Sequence, residues 1–274
     1  MRIEQLNKAG IRSFEAAKWD EEHPYRSFTS AYQSLQQDLR TNPVDIIHSH
    51  SEYTDITAIL LKLRGRVPRI LRTVHYGYRV EWSTKPLRRT LLTNLTYPIM
   101  FDLEVGINQQ NTDRLNSRSV SRLLGRNAIR VPNAISMERF RGGKPDVKTK
   151  KETLGIPADA PLIGTVGRLA DQKGYQYLIE AASLVINQQP STYFVIIGDG
   201  PLADEHRQQA LDLGISSQVI FTGGRTDVEE LLYCLDLFAS SSLWEGLPTV
   251  LLEAMAANVP IIATDIPGTN ELIT

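Results

Sequence analysis

From residue 161 to 265 this chain repeats one pattern. A short apolar run ends in a Gly- or Ser-rich turn, and a helix-period segment follows. "PLIGTVGRL" precedes "KGYQYLIEAASLVINQ", "TYFVIIGDGP" precedes "ADEHRQQALDLG", "VIFTGG" precedes "DVEELLYCL", "LFASSS" precedes "PTVLLEAMAA", and "VPIIATD" closes the series. Apolar runs without alternation are what a strand covered on both faces requires, and strands alternating with helices are joined by crossovers that make them parallel. The expected class is α/β.

A looser series precedes it. "VDIIHSH" (44–50) follows the Asn42-Pro43 turn signal and reads as a buried strand. "EYTDITAILLKLRG" reads as a helix closed by Gly65, and "RILRTVHYG" (69–77), "DLEVGIN" (102–108) and "AIRVPNAI" (128–135) as strands. "NTDRLNSRSVSRLLGRN" reads as helical. "RFRGGKPDVKTKKETLGIPADAP" (139–161) is rich in Gly, Pro and Lys and reads as a linker with a short helix near Lys148–Leu154. With 274 residues, the expectation is two Rossmann-like parallel-sheet domains, 1–139 and 161–274, joined by a linker over 140–160.

The 42% of hydrophobic residues suffices for two cores. No apolar run is long enough to cross a bilayer, and "MRIEQLNKAGIRSFE" has no apolar signal core. The lone Cys234 can form no intrachain disulfide, which fits a reducing, cytoplasmic setting, and it reads as a small buried hydrophobe. The net charge of −1 hides an imbalance: residues 1–150 carry 25 Lys and Arg against 15 Asp and Glu, and residues 151–274 carry 5 against 16. A basic first half fits either a solvated face or an anionic membrane surface. No nucleic-acid partner is expected.

"SSSLWEGLPTVLLEAMAANVPIIATD" (240–265) sets Glu245 and Glu253 in an otherwise apolar run. Pro248 suits the first position of a helix, because its missing N–H would be orphaned there anyway. The amides near Gly246, Leu247 and Thr249 then lack intrahelical acceptors and suit a diphosphate. Glu253, one turn beyond Thr249 and Val250, could accept both hydroxyls of a ribose, and Glu245 could hold a sugar hydroxyl. "GRLADQKG" (167–174) follows a strand, where open α/β sheets bind ligands. Arg168 and Lys173 are two of the five cations of residues 151–274 and suit a leaving diphosphate. "GDGP" (198–201) is a tight turn and no dinucleotide fingerprint. His48 and His50 end a strand on one side of it, with His75 ending a neighbouring strand. A structural or a catalytic role is open for them, and neither a Cys nor a further clustered His completes a metal site.

Together these residues resemble the group 1 (family 4) retaining glycosyltransferases of the GT-B fold. "GTVGRLADQKGYQYLIEAA", "FVIIGDGP", "FTGG" and "LWEGLPTVLLEAMAANVPIIATDIPGTNELI" follow that family in order and spacing. "PVDIIHSH", "TVHYG" and "VPNAISMERF" do so more loosely, with Asn133-Ala134-Ile135-Ser136 where the family has Asn-Gly-Ile-Asp. The resemblance implies two domains facing a cleft. It puts Arg168 and Lys173 on the donor diphosphate, Glu253 on the donor ribose, and Glu245 with the Gly246–Thr249 amides on sugar and phosphate. It puts His50 near the transferred sugar and the nucleobase near Gly223–Arg225. It implies transfer with retention from a nucleotide-diphosphate sugar, the co-substrate, to a sugar or lipid-linked acceptor, with no metal and no cofactor, in surface polysaccharide or glycolipid synthesis. With lipid-linked acceptors, the basic half would make peripheral contact with the inner face of the plasma membrane, the alternative being a soluble acceptor and a merely solvated basic face. Family members open with a further strand and Gly-rich loop and continue beyond the point matching Thr274. The chain is therefore expected to be an internal piece of a longer enzyme, with both domains incomplete. Two other readings remain: an inactive fragment that only binds nucleotide sugar, and a GT-B-related nucleotide-sugar epimerase.

Overall fold

The computed structural model describes residues 3–18, 20, 22–75 and 86–273. It divides into two compact units, Met1–Ile107 with Asn111–Val131, and Asn108–Gln110 with Pro132–Thr274.

The first unit begins with α1 (Ile3–Lys8), α2 (Pro24–Thr41), β1 (Ile46–Ser49), α3 (Glu52–Leu63) and β2 (Arg69–Val74). A helical run follows: α4 (Pro86–Leu91), a π turn (Leu92–Thr96) and α5 (Tyr97–Met100). β3 (Leu103–Gly106), α6 (Gln109–Ser117, this unit from Asn111), α7 (Ser119–Leu123) and β4 (Ile129–Arg130) complete it. The four strands are parallel in the order β1-β2-β3-β4. Ser51 and Thr54 form a capping box at the start of α3, and Gly65 follows its end at φ +66°. Ala58, Ile59 and Leu61 of α3 share a core with Ile70, Tyr97, Phe101 and Tyr32 of α2.

Four expectations need correction here. β1 is not buried: it is the edge strand, with Ile46 exposed and only Ser49 enclosed. β2 ends at Val74, and the Tyr76-Gly77 end expected for it lies outside the described residues. β4 is two residues long. The single helix expected after β3 is two helices, because Arg118 turns extended (ψ 133°) between α6 and α7 and its guanidinium pairs with Glu104.

The second unit contains a 3₁₀ turn (Met137–Phe140), α8 (Val147–Thr153), β5 (Leu162–Val166), a second 3₁₀ turn (Asp171–Lys173), α9 (Tyr175–Gln188), β6 (Tyr193–Ile197) and α10 (Ala203–Asp212). β7 (Val219–Gly223), α11 (Val228–Leu232), β8 (Leu237–Ser240), α12 (Thr249–Ala256) and β9 (Ile261–Ala263) follow. Its five strands are parallel in the order β7-β6-β5-β8-β9. β6 shows why the apolar runs are continuous. Phe194 and Ile196 pack with Leu178 and Ile179 of α9, whereas Val195 and Ile197 pack with Leu231 of α11 and Leu251 of α12. Each such Leu or Ile contributes about 1.5–3 kcal/mol on burial.

Residues 140–160 are not a linker. Phe140, Ile156 and Ala160 lie in the same core cluster as Val195 and Phe238, and the boundary between the units falls at Val131/Pro132. The Gly, Pro and Lys content masks widely spaced apolar residues. Asp146 caps α8 by accepting from the amides of Lys148 and Thr149.

Candidate functional site

The strand order of the second unit reverses between β5, which leads to β6 and β7 on one side, and β8, which leads to β9 on the other. Loops leaving two such strands diverge and open a crevice at their carboxyl ends. Here those loops are 167–174 and 241–248. Lys173 Nζ lies 2.5 Å from Glu245 Oε1. The same oxygen accepts from Ser242 Oγ at 2.8 Å, and Gln172 Nε2 donates to Oε2 at 3.2 Å. The loop backbones are stitched together as well: Leu243 N donates to Gln172 O at 2.8 Å, Ser241 Oγ to Lys173 O at 2.8 Å, and Gln172 Nε2 to Trp244 O at 3.0 Å. Gly174 makes this approach possible. Its φ is +57°, and a Cβ there would sit 2.4 Å from Ser241 O.

The Glu245 side chain is only 7% exposed, so its charge is held by the lysine and two neutral donors. Sequence reasoning set Lys173 and Glu245 on different parts of a ligand; the fold binds them to each other. Arg168, next in the same loop, is exposed and makes no ion pair among the described residues. It is the uncommitted cation of this crevice.

α12 begins one residue later than expected. Pro248 has ψ 107° and occupies the N-cap position, so Thr249 is the first helical residue, and no side chain caps the helix. Its first turn, with Thr249 exposed and Gly246 to Pro248 buried, therefore presents amides without intrahelical acceptors. The preceding turn is fixed from two sides: Asn133 Nδ2 donates to Leu247 O at 3.0 Å, and Gly268 (φ +88°) abuts Gly246 so closely that a Cβ would fall 2.0 Å from its carbonyl oxygen. Leu247, Leu251 and Ala254 anchor the helix in the core.

Glu253 is 18% exposed and lies 3.4 Å from Arg139, whose guanidinium also pairs with Glu229. Burial raises its carboxyl above the ordinary range, and the Arg139 charge offsets part of that rise. Sequence reasoning gave Arg139 no role, although the "MERF" segment was visible; 114 residues separate it from Glu253.

Gly223 ends β7 at φ +68°, and its carbonyl accepts from Gly198 N at 3.0 Å. Arg225 is committed to Asp227 through Nε (2.8 Å) and Nη2 (2.7 Å), with Lys150 on the same carboxylate at 2.6 Å. These cations hold the Asp227 carboxyl far below its usual range, Arg225 foremost. Gly223 and Arg225 thus share the carboxyl edge of the sheet with the crevice, but β6 intervenes between β7 and β5, and neither bonds to the Lys173–Glu245 cluster.

In the first unit, His50 Nδ1 and His75 Nε2 are 2.9 Å apart, His48 Nε2 is 2.8 Å from Thr73 Oγ1, and the His48 and His50 ring centroids lie 4.3 Å apart with the rings tilted by 38°. Burial, with the His50 charge second, lowers the pKa of both His48 and His75. His50 itself stays exposed, with one ring nitrogen engaged by its neighbour.

Residues 146–274 match the family model of the group 1 glycosyl transferases. An Escherichia coli UDP-Gal:alpha-D-GlcNAc-diphosphoundecaprenol alpha-1,3-galactosyltransferase is 31% identical over 255 residues, covering 88% of this chain and 62% of that protein. A Streptococcus pneumoniae alpha-monoglucosyldiacylglycerol synthase is 26% identical over 272 residues, 93% of this chain and 58% of that protein. The chain therefore spans about three fifths of the length of these relatives. The Anabaena protein Alr3699/HepE, solved with UDP and glucose, superposes with a TM-score of 0.76 at 20% identity, over 99% of this chain and 72% of that one, which shows the fold to be GT-B. Through residues 146–274, the second unit is similar to the group 1 glycosyl transferases.

Proposed function

We propose that the chain carries the donor-binding and catalytic machinery of a retaining glycosyltransferase of the family 4 type, acting in surface polysaccharide or glycolipid synthesis. The observation that carries this reading is the Lys173–Glu245 pair at the reversal of strand order, beside the uncapped start of α12 and with Glu253 one turn into that helix. The donor is a nucleotide-diphosphate sugar. Arg168, Lys173 and the amides of Gly246, Leu247 and Thr249 meet its diphosphate, so charge building on the leaving group is met without a metal ion. Glu253 accepts from the ribose hydroxyls, Gly223 and Arg225 lie by the base, and Glu245 acts on the transferred sugar. The bond from the anomeric carbon to the diphosphate oxygen breaks, and its electron pair leaves with the diphosphate. The acceptor oxygen attacks from the same face, and its proton passes to that diphosphate oxygen. The UDP-galactose and diphosphoundecaprenol named for the E. coli relative, and the UDP and glucose in the Anabaena structure, support a nucleotide-sugar donor and a lipid-linked acceptor.

A feature of the first unit supports peripheral contact with an anionic membrane at the inner face. Along Pro86–Met100, Leu87, Leu91, Leu95 and Ile99 are 73, 51, 48 and 46% exposed. Residues four apart drift by about 40° on an α-helix, and the wider π turn between them offsets that drift, so the four form a stripe. Arg88 and Arg122 lie on elements of the same unit, which fits charge attraction plus shallow insertion. No helix among the described residues is long and apolar enough to cross a membrane.

Melting curves with UDP-, GDP- and ADP-sugars test the reading. One donor is expected to raise the melting temperature by mass action and to release its nucleoside diphosphate when acceptor is added. Stabilisation without release would leave a nucleotide-sugar binder, an epimerised donor would point to the epimerase reading, and an inverted anomer in the product would remove retention alone.

A further inference from the structure

Beside the helical run Pro86–Met100 the first unit holds a cavity of about 570 Å³, within the range of small-molecule sites, which shares only Leu91 and Leu95 with the exposed stripe described above. Its charge is one-sided. Arg72, Arg114 and Arg118 line it, and no carboxylate among the described residues does. The acids that neutralise the two buried arginines stand outside the lining: Asp55 lies 3.1 Å from Arg72 Nη2, and Glu104 pairs with Arg118. Both guanidiniums are fixed in place. Arg72 stacks 4.1 Å from the centroid of Tyr97, and Arg118 donates to the carbonyls of Leu115 (2.9 Å) and Thr93 (2.8 Å). Arg114 at the rim is exposed and makes no ion pair among the described residues. One part of the wall is apolar, built from Leu91, Leu95 and Leu115, and the π turn forms part of it. π turns occur frequently at functional sites. Leu91 and Leu95 are also half-exposed, so the apolar wall continues onto the outer surface.

Arg114 at the rim is open to pair with phosphate, and Arg118, whose fork Glu104 holds, keeps one Nη2 N–H for it. An apolar wall running out to the surface suits a hydrocarbon chain attached to it. We propose that this cavity binds a phosphate-bearing amphiphile, with the phosphate on Arg114 and Arg118 and the chain along Leu91 and Leu95. The proposal stands on the first unit alone and does not depend on the donor chemistry of the second.

The test is calorimetry on the full chain with three soluble probes: dihexanoyl phosphatidic acid, dihexanoyl phosphatidylcholine and inorganic phosphate. Phosphatidic acid is expected to saturate one site, about tenfold tighter than either of the others, the scale of one charge-assisted contact. Arg114→Glu should cost about tenfold in that affinity with no loss of melting temperature, since Arg114 holds no partner. Leu95→Asp should weaken phosphatidic acid and leave inorganic phosphate unchanged. Equal binding of phosphatidic acid and phosphatidylcholine overturns the phosphate role, and equal binding of phosphatidic acid and inorganic phosphate overturns the apolar one. Phosphatidic acid binding untouched by both substitutions removes the site. Nucleotide-sugar affinity measured on the same variants should not move, which separates this outcome from failure of the donor reading.

Discussion

At Glu253 the requirements of stability and ligand binding oppose each other. Its carboxyl is raised by burial, net of the Arg139 charge, so the folded state favours the protonated form. The stability tied to that form is present below the unfolded value of about 4.3 and is lost as pH rises through the folded value. Glu253→Gln, neutral at every pH, is therefore expected to melt above the parent protein at pH 7, with the gap closing as pH falls towards about 4. The same change should weaken donor binding by about 1.5–3 kcal/mol if the carboxylate accepts the ribose hydroxyls. Calorimetry beside a melting series reads both, and unchanged donor affinity would sink the ribose assignment. Lys173→Ala leaves the nearly buried Glu245 without its cation and should cost about 1–3 kcal/mol of stability. If Lys173 also meets the leaving diphosphate, turnover should fall more than donor affinity. A rise in the Michaelis constant alone would contradict that role.

At the scale of elements, the crevice depends on turns that only glycine can make. Gly198 has φ +141°, and a Cβ there would lie 2.0 Å from Gly167 O, so the loop after β6 rests directly on the loop after β5. Gly214, after α10, has φ +71° and nothing within 4 Å of its would-be Cβ. Gly214→Ala should therefore cost about 1–2 kcal/mol, the left-handed penalty alone. Gly198→Ala should cost about 3 kcal/mol or more and shift the Arg168 loop. Urea denaturation of the two variants compares them directly, and equal losses would mean that the contact between the loops contributes nothing. The "GDGP" turn was legible in the sequence, but its neighbour was not, because the strand order brings Gly167 and Gly198 together.

For the molecule as a whole, the charge imbalance has a measurable consequence. Residues 1–150 carry the cationic excess, and the exposed stripe from Leu87 to Ile99 lies in the same stretch. Flotation should recover the chain with anionic vesicles at low salt and lose it at high salt, with little bound to neutral vesicles. Leu87→Glu combined with Leu91→Glu should abolish recovery without unfolding, since both side chains are more than half exposed. Equal recovery with neutral and anionic vesicles would remove the electrostatic part of the membrane reading.

What the sequence by itself determined is the second unit. A strand covered on both faces writes its burial as an unbroken apolar run, so β5 to β9 and the helices between them were readable from composition and period, and the Glu245–Glu253 segment with them. The edge strand β1, buried on one side at most, carries a similar run and was misread as buried. Residues 140–160 read as a linker because their apolar side chains are sparse, though Phe140, Ile156 and Ala160 are buried. Only the tertiary structure decided which charges meet. Lys173 and Glu245 are 72 residues apart in the chain, Arg139 and Glu253 are 114 apart, and Arg118 and Glu104 are joined across a helix break. Local pattern records which face of an element is buried. It does not record which strand becomes that element's neighbour, and strand order is what sets one loop's cation against another loop's carboxylate.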